Sequence, residues 1–71
     1  MSEILTTTSE QILTISFNRP TKMNALTRDM YAGLAQALND AAGDFGVRAV
    51  IITSEGEHFT AGNDISDFMS N

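Results

Sequence analysis

A turn of small residues between an apolar run and the start of a helix constrains this chain more than any other feature. Residues 49–52 are uninterrupted apolar residues, which indicates a strand buried on both faces. The turn occupies residues 57–65, and a helix is predicted to begin at Ile65. The first N–H groups of a helix have no partner within it, so such a turn suits a negative charge. Because Ala61 and Gly62 carry little or no side chain, a substrate carbonyl could approach the main chain there.

The same turn also has a purely structural interpretation. Gly62 would then serve a tight bend, and Asp64 would cap the helix that follows. For Asp64, hydrogen bonds to backbone N–H groups are favoured over a role in acid–base catalysis. His58, the single histidine, has no evident partner and is interpreted as an exposed turn residue. The stretch by itself leaves the functional and the structural interpretation open.

The N-terminal residues predict a β-hairpin. Residues 3–8 and 11–17 are rich in β-branched residues, and apolar and polar residues alternate in the second run. We therefore expect two antiparallel strands joined around Ser9-Glu10. Pro20 disfavours helix at the residue before it, so the second strand is expected to end shortly before this proline.

One amphipathic helix and a third strand are predicted next. Thr27 is a suitable N-cap, Asp29 faces the positive end of the helix dipole, and Gly43 is the expected stop. Residues 48–53 form the returning strand, which implies a right-handed parallel crossover. The apolar face of the helix consists of Met30, Leu34, Ala37, Leu38 and Ala41. The methionines interpreted as gap-filling core or interface residues are Met23, Met30 and Met69.

Composition excludes several classes of function. The chain has 71 residues, which is at most one small domain, and no cysteine, so zinc–thiolate and disulfide chemistry are ruled out. Its net charge of -5 and lack of a basic stripe argue against nucleic acid as a partner. No apolar segment reaches the roughly 20 residues of a membrane span. The first residues also lack a secretion signal, so a cytoplasmic protein is expected.

Four motifs in a fixed order resemble one known family. They are Asn-Arg-Pro at 18–20, Asn-Ala-Leu at 24–26, Val-Arg-Ala-Val at 47–50 and Phe-Thr-Ala-Gly-Asn-Asp at 59–64. Together they resemble the N-terminal part of the crotonase superfamily, the enoyl-CoA hydratases and isomerases. The resemblance covers residues 12–69 and implies an α/β fold, namely the N-terminal ββαβ part of the Clp protease/crotonase fold. Members of the family are several times longer, so residues 1–71 are expected to be an incomplete domain.

The resemblance also implies a chemistry. In crotonase-like enzymes an acyl-CoA thioester binds with its carbonyl oxygen between two backbone N–H groups, which form an oxyanion hole and stabilise an enolate. The first donor is the residue after the glycine of the Ala-Gly-x-Asp turn, which here is Asn63. Its side chain departs from the alanine often found there, but the donor is main chain. The Gly-Asn-Asp form of the turn resembles that of some Δ3,Δ2-enoyl-CoA isomerases.

Further residues are assigned to substrate binding by the same resemblance. Lys22 stands one place later than the base found in many relatives, and it either attracts the CoA phosphates by charge or is a solvated loop residue. The residues expected to line the site of the acyl-CoA are Lys22, Met23, Ala25, Ala61, Gly62, Asp64 and Ile65. Coenzyme A is then part of the substrate, and no separate cofactor or metal is expected. A homotrimer or hexamer is implied.

The second oxyanion donor and the catalytic acids of the family are expected beyond Asn71. The 71-residue chain alone is therefore predicted to be inactive, and hydration and double-bond isomerisation both stay possible for a longer parent protein. One alternative is a non-catalytic module that only associates with partner subunits. A dinucleotide-binding α/β domain is disfavoured because no Gly-x-Gly-x-x-Gly follows a strand. Clp-type proteases share the crotonase architecture, but this chain offers no serine–histidine pairing for their chemistry.

Overall fold

The computed structural model describes residues 2–70 and confirms the predicted α/β class. A three-stranded sheet, in the order β1-β2-β3, packs against one long helix. A short 3-10 helix, Pro20–Lys22, follows the second strand. The bounds of the other elements are β1 Ile4–Ser9, β2 Ile12–Phe17, α1 Arg28–Ala42, β3 Ala49–Ser54 and α2 Ile65–Met69.

The predicted hairpin is confirmed, with its turn one residue later than expected. Strands β1 and β2 are antiparallel, and Ser9 lies opposite Ile12. The two residues of the turn are Glu10 and Gln11, which have positive φ values of 52° and 68°. Positive φ at both central positions matches the right-handed twist of the flanking strands, so a two-residue turn connects them directly.

The start and end of α1 also agree with the sequence prediction. The Thr27 hydroxyl oxygen accepts a hydrogen bond from the Met30 N–H at 3.1 Å, and Gly43 follows the last helical residue. The predicted apolar face is buried only near its start, where Met30 packs with Phe17 and Leu26. Toward the C-terminal end, Leu38 is exposed. The core therefore lies between β2 and the first half of α1.

The expectation that residues 49–52 are buried on both faces is wrong. Strand β3 pairs in parallel with β2, as predicted, but it is an edge strand with no further neighbour among residues 2–70. Val50, Ile51 and Ile52 are 39%, 49% and 41% exposed. A continuous apolar run indicates a strand that is suited to burial on both faces. Residues 2–70 do not supply the layers that would cover it.

We expect the isolated 71-residue chain to show a weak or absent cooperative melt at micromolar concentration, or to self-associate. The exposed apolar residues of β3 leave little buried surface to offset the entropy of ordering so short a chain. Circular dichroism melting and light scattering after size exclusion measure the two behaviours.

A Val50→Thr/Ile52→Thr variant serves as the matched control. Threonine keeps the strand propensity but removes apolar surface, so this variant should associate less than the native chain. A sharp transition of a monomeric native chain would contradict the prediction.

Candidate functional site

The turn between β3 and α2 is held in place by one buried side chain, that of Asn24. Its Nδ2 group donates hydrogen bonds to the carbonyl oxygens of Glu55 and His58, both at 2.7 Å. Its Oδ1 atom accepts a hydrogen bond from the Arg19 N–H, also at 2.7 Å. Asn24 is fully buried and has a left-handed φ of 56°, a conformation that asparagine tolerates better than most residues. The connection after β3 is thereby fixed to the loop before α1.

A short parallel pairing orients the main chain at the centre of the turn. The Leu26 N–H donates to the Gly62 oxygen and the Asp64 N–H donates to the Leu26 oxygen, both at 2.8 Å. Leu26 thus pairs with Asn63 as in adjacent parallel strands. In such a pairing the N–H of the central residue points away from its neighbour. The Asn63 N–H is therefore directed outward, and it has no hydrogen-bond partner among residues 2–70.

Gly62 provides the backbone conformation that this orientation requires. Its φ is +88°, a region that residues with a side chain rarely adopt, and an added Cβ atom would meet nothing within 4 Å. The neighbouring Ala61 is exposed. The Gly62 N–H itself is occupied, because it donates to the Thr60 hydroxyl oxygen at 3.1 Å. A side chain at Gly62 would meet open space, and the Asn63 N–H that follows it has no partner within the described residues 2–70.

Asp64 has the structural role that was expected of it. One carboxylate oxygen accepts a hydrogen bond from the Asp67 N–H at 3.0 Å and caps α2. The other accepts from the Arg19 guanidinium at 2.6 Å, and the Arg19 side chain is only 18% exposed. The hydrogen bond from Arg19 and that from the Asp67 N–H lower the pKa of Asp64. A carboxylate held ionised in this way is poorly suited to proton transfer.

The remaining predicted substrate-binding residues lie on two adjoining segments. Thr60 donates from its hydroxyl to the Asn24 oxygen at 2.7 Å, which brings the loop before α1 next to the turn. Lys22 lies exposed at the end of the 3-10 helix, and Ala25 is partly buried. Met23 and Ile65 are 52% and 71% exposed. Lys22, Met23 and Ile65 are thus accessible to a ligand, while Ala25 is partly covered.

The methionine predictions are confirmed at one position. Met30 is buried in the core, whereas Met23 and Met69 are exposed, at 52% and 79%. A place in the core is therefore wrong for Met23 and Met69, because the described chain has no layer that covers them. Their interpretation as interface residues stays a prediction. His58 has an exposed position, as expected, and its backbone oxygen accepts from Asn24.

Sequence reasoning missed Tyr31. This residue lies on α1, and its hydroxyl donates a hydrogen bond to the Asn63 Oδ1 atom at 2.6 Å. Its ring also contacts the Phe68 ring, with 5.9 Å between centroids. Tyr31 lies 32 positions from Asn63 and outside the apolar face of α1, so no local pattern in the sequence indicates the contact.

Metal-ligand clusters and membrane-spanning helices are absent from the part of the chain that the structure describes. No cluster of three or more histidine, cysteine, aspartate or glutamate residues among residues 2–70 could hold a metal ion. No helix in the same range is long and apolar enough to cross a lipid bilayer.

Comparison with known proteins places the chain in a family. Residues 7–71 match the family model of enoyl-CoA hydratase/isomerase. The chain is 37% identical over 68 residues to the peroxisomal enoyl-CoA delta isomerase 3 of Mus musculus, covering 96% of the chain and 21% of the relative. It is 40% identical over 67 residues to enoyl-CoA delta isomerase 2 of Rattus norvegicus, covering 94% and 17%.

Solved structures show the same fold. The enoyl-CoA hydratase/isomerase from Pseudoalteromonas atlantica superposes with a TM-score of 0.95 at 38% identity, over 99% of this chain and 28% of that one. The enoyl-CoA hydratase from Mycobacterium tuberculosis superposes with a TM-score of 0.93 at 31% identity, over 99% and 32%. The chain spans about a quarter or less of the length of the curated relatives it matches. By its sequence motifs, its fold and these matches, the chain belongs to the enoyl-CoA hydratase/isomerase family of the crotonase superfamily.

Proposed function

We propose that this chain contributes one half of an oxyanion hole for an acyl-CoA thioester. The observation that carries the proposal is the N–H of Asn63, which points outward and is unpaired within residues 2–70. The Gly62 carbonyl belongs to the same peptide unit and is held by the Leu26 N–H at 2.8 Å, so the direction of the donor is set before any ligand binds. In a productive complex the thioester oxygen lies about 2.7–3.1 Å from this nitrogen.

The chemical benefit arises when a proton leaves the carbon next to the thioester carbonyl. Negative charge then develops on the carbonyl oxygen, and a preorganised donor that faces it is worth roughly 3 kcal/mol. Two carboxylates beside the turn, Glu55 and Asp64, are hydrogen-bonded to Ser16 and Arg19. By family resemblance, the general base and the second oxyanion donor are proposed to come from residues outside this chain.

Coenzyme A would lie along the two segments that flank the donor. Ala25 and Ala61 leave the main chain accessible, while Met23 and Ile65 offer exposed apolar surface. Lys22 is proposed to attract the phosphates of CoA through its charge, since it lies exposed at the edge of this surface. Coenzyme A acts here as part of the substrate, and no further cofactor enters the proposal.

Two reactions fit this site. Double-bond isomerisation is supported by the Gly-Asn-Asp form of the turn and by the similarity to enoyl-CoA delta isomerases. Hydration is supported by the similarity to the M. tuberculosis hydratase. An isomerase needs one base that moves a proton between carbons, whereas a hydratase must also hold and activate a water molecule. A cytoplasmic homotrimer or hexamer is proposed for the working enzyme, by family resemblance.

The function is tested with a hybrid enzyme, in which this chain replaces the matching segment of the P. atlantica protein. The TM-score of 0.95 at 38% identity makes that graft compatible with the surrounding fold. We expect the hybrid to turn over trans-2-enoyl-CoA by hydration or cis-3-enoyl-CoA by isomerisation. The two reactions are followed separately. The acid–base groups of the hybrid come from the P. atlantica protein, so turnover of either substrate tests the oxyanion donor of this chain. The 71-residue chain alone should show no turnover.

A folded hybrid enzyme that neither binds nor converts either thioester would contradict the proposed function. That outcome would favour the alternative, a non-catalytic module that only associates with partner subunits. Size exclusion of the isolated chain with the remaining segment of the P. atlantica protein measures such association directly.

A further inference from the structure

The side chain of Asn63 can compete with a substrate for the backbone N–H of the same residue. Asparagine side chains readily accept hydrogen bonds from their own N–H group or from the one two residues later. The carboxamide of Asn63 is exposed, and the Asn63 N–H has no hydrogen-bond partner among residues 2–70. A free carboxamide could therefore turn toward this N–H and compete with a thioester oxygen.

The structure shows the carboxamide held away from that position. The Tyr31 hydroxyl donates to its Oδ1 atom at 2.6 Å. Tyr31 is itself fixed, because it belongs to the first turns of α1 and its ring lies against Phe68 with 5.9 Å between centroids. The peptide units on both sides of Asn63 are held by Leu26. With its main chain held on both sides, Asn63 can still rotate its side chain, and the hydrogen bond from Tyr31 restricts that rotation.

We propose that Tyr31 is a positioning residue that keeps the Asn63 carboxamide from covering the Asn63 N–H. This inference rests on the proposed function, since it concerns access of an acyl-CoA oxygen to that donor. It assigns Tyr31 no contact with the reacting atoms. It also explains how the turn keeps an open donor although its central residue has a long polar side chain.

The test is a double-mutant cycle in the hybrid enzyme with four proteins: native, Tyr31→Phe, Asn63→Ala and Tyr31→Phe/Asn63→Ala. Phenylalanine retains the ring against Phe68 and removes only the hydroxyl. We expect Tyr31→Phe to lower kcat/KM by about tenfold, which corresponds to about 1.4 kcal/mol. Asn63→Ala is the reference for the double variant, because it removes the carboxamide and keeps the main-chain donor. The double variant should recover to the level of Asn63→Ala, since no carboxamide is left to interfere.

Recovery distinguishes the proposed role from a merely structural one. If Tyr31 only stabilised α1, the double variant would be as impaired as Tyr31→Phe, and that result would overturn the inference. An unchanged kcat/KM for Tyr31→Phe would overturn it as well. Kinetics are measured well below the melting temperature of every variant, so unfolding does not enter the comparison.

A crystal structure of the Tyr31→Phe hybrid supplies a second readout. The Asn63 Oδ1 atom is expected within hydrogen-bond distance of its own N–H or of that of Ile65, and an unchanged carboxamide would contradict the proposal. Failure of the proposed function is separable from these outcomes, because it is read from the native hybrid enzyme. An active native hybrid with no effect of Tyr31→Phe overturns only the role of Tyr31.

Discussion

In the hybrid enzyme, Asn63→Pro is expected to lower kcat by about 100- to 1,000-fold, whereas Asn63→Ala retains most of the activity. Proline removes the backbone N–H, and the loss of one oxyanion donor typically has an effect of this size. The Asn63 N–H has no protein partner among residues 2–70, so the substitution deletes no backbone hydrogen bond within the described fold. The hydrogen bond from Tyr31 to the Asn63 side chain is lost in both variants. Steady-state kinetics with the preferred enoyl-CoA measure the difference.

Asn63→Ala is the matched control for this experiment, since it removes the side chain and keeps the donor. Melting temperatures of both variants show whether proline distorts the turn beyond the loss of the N–H. Equal losses from the two substitutions would mean that the side chain acts and that the main-chain assignment is wrong. A proline variant with native KM and low kcat would instead show that the Asn63 N–H interacts with the substrate mainly in the transition state.

Asn24→Ala is expected to destabilise the hybrid enzyme by about 3 kcal/mol, with a fall in melting temperature of about 10 °C. The substitution removes three side-chain hydrogen bonds of 2.7 Å and leaves the carbonyl oxygens of Glu55 and His58 without the donor that ties them to the loop before α1. Activity should fall further than stability alone explains, because the turn that carries Asn63 is then held only by the pairing with Leu26 and by the contacts of Thr60 and Asp64.

Gln36→Ala is a suitable control for Asn24→Ala. Gln36 also carries a carboxamide that donates a hydrogen bond, to Asp40 at 2.9 Å, but it lies exposed on α1. Exposed pairs four residues apart on a helix contribute only about 0.2–0.5 kcal/mol, so the control should melt close to native. Thermal unfolding by circular dichroism compares the two variants, and similar melting temperatures would contradict the role of Asn24.

Features set by neighbouring residues were predictable. The Thr27 cap, the Gly43 stop and the Asp64 cap each depend on a hydrogen bond or a φ angle within a few positions. The hairpin follows from alternating residues on both sides of a short turn. The role of Asn63 as a donor stays a prediction, which rests on a motif of adjacent residues and its resemblance to a family.

Features that depend on distant residues were not predictable from the linear sequence. Asn24 reaches Glu55 and His58 across more than 30 positions, and Tyr31 reaches Asn63 across 32. No periodic pattern in the sequence marks a side chain that forms such contacts. Its partner depends on how β3 and α1 pack beside β2. The wrong expectation for the burial of β3 has the same origin.

The amino-acid sequence alone thus determined the order of the main helices and strands and their caps, because local hydrogen bonds and backbone angles carry that information. It also indicated the turn for which the donor is proposed. Tertiary structure decided which peptide groups are paired and which stay open. The Asn63 N–H points outward because Leu26, 37 positions earlier in the sequence, pairs with the peptide units on either side of it. The direction of this N–H depends on how two distant segments of main chain pair, and no stretch of neighbouring residues specifies it.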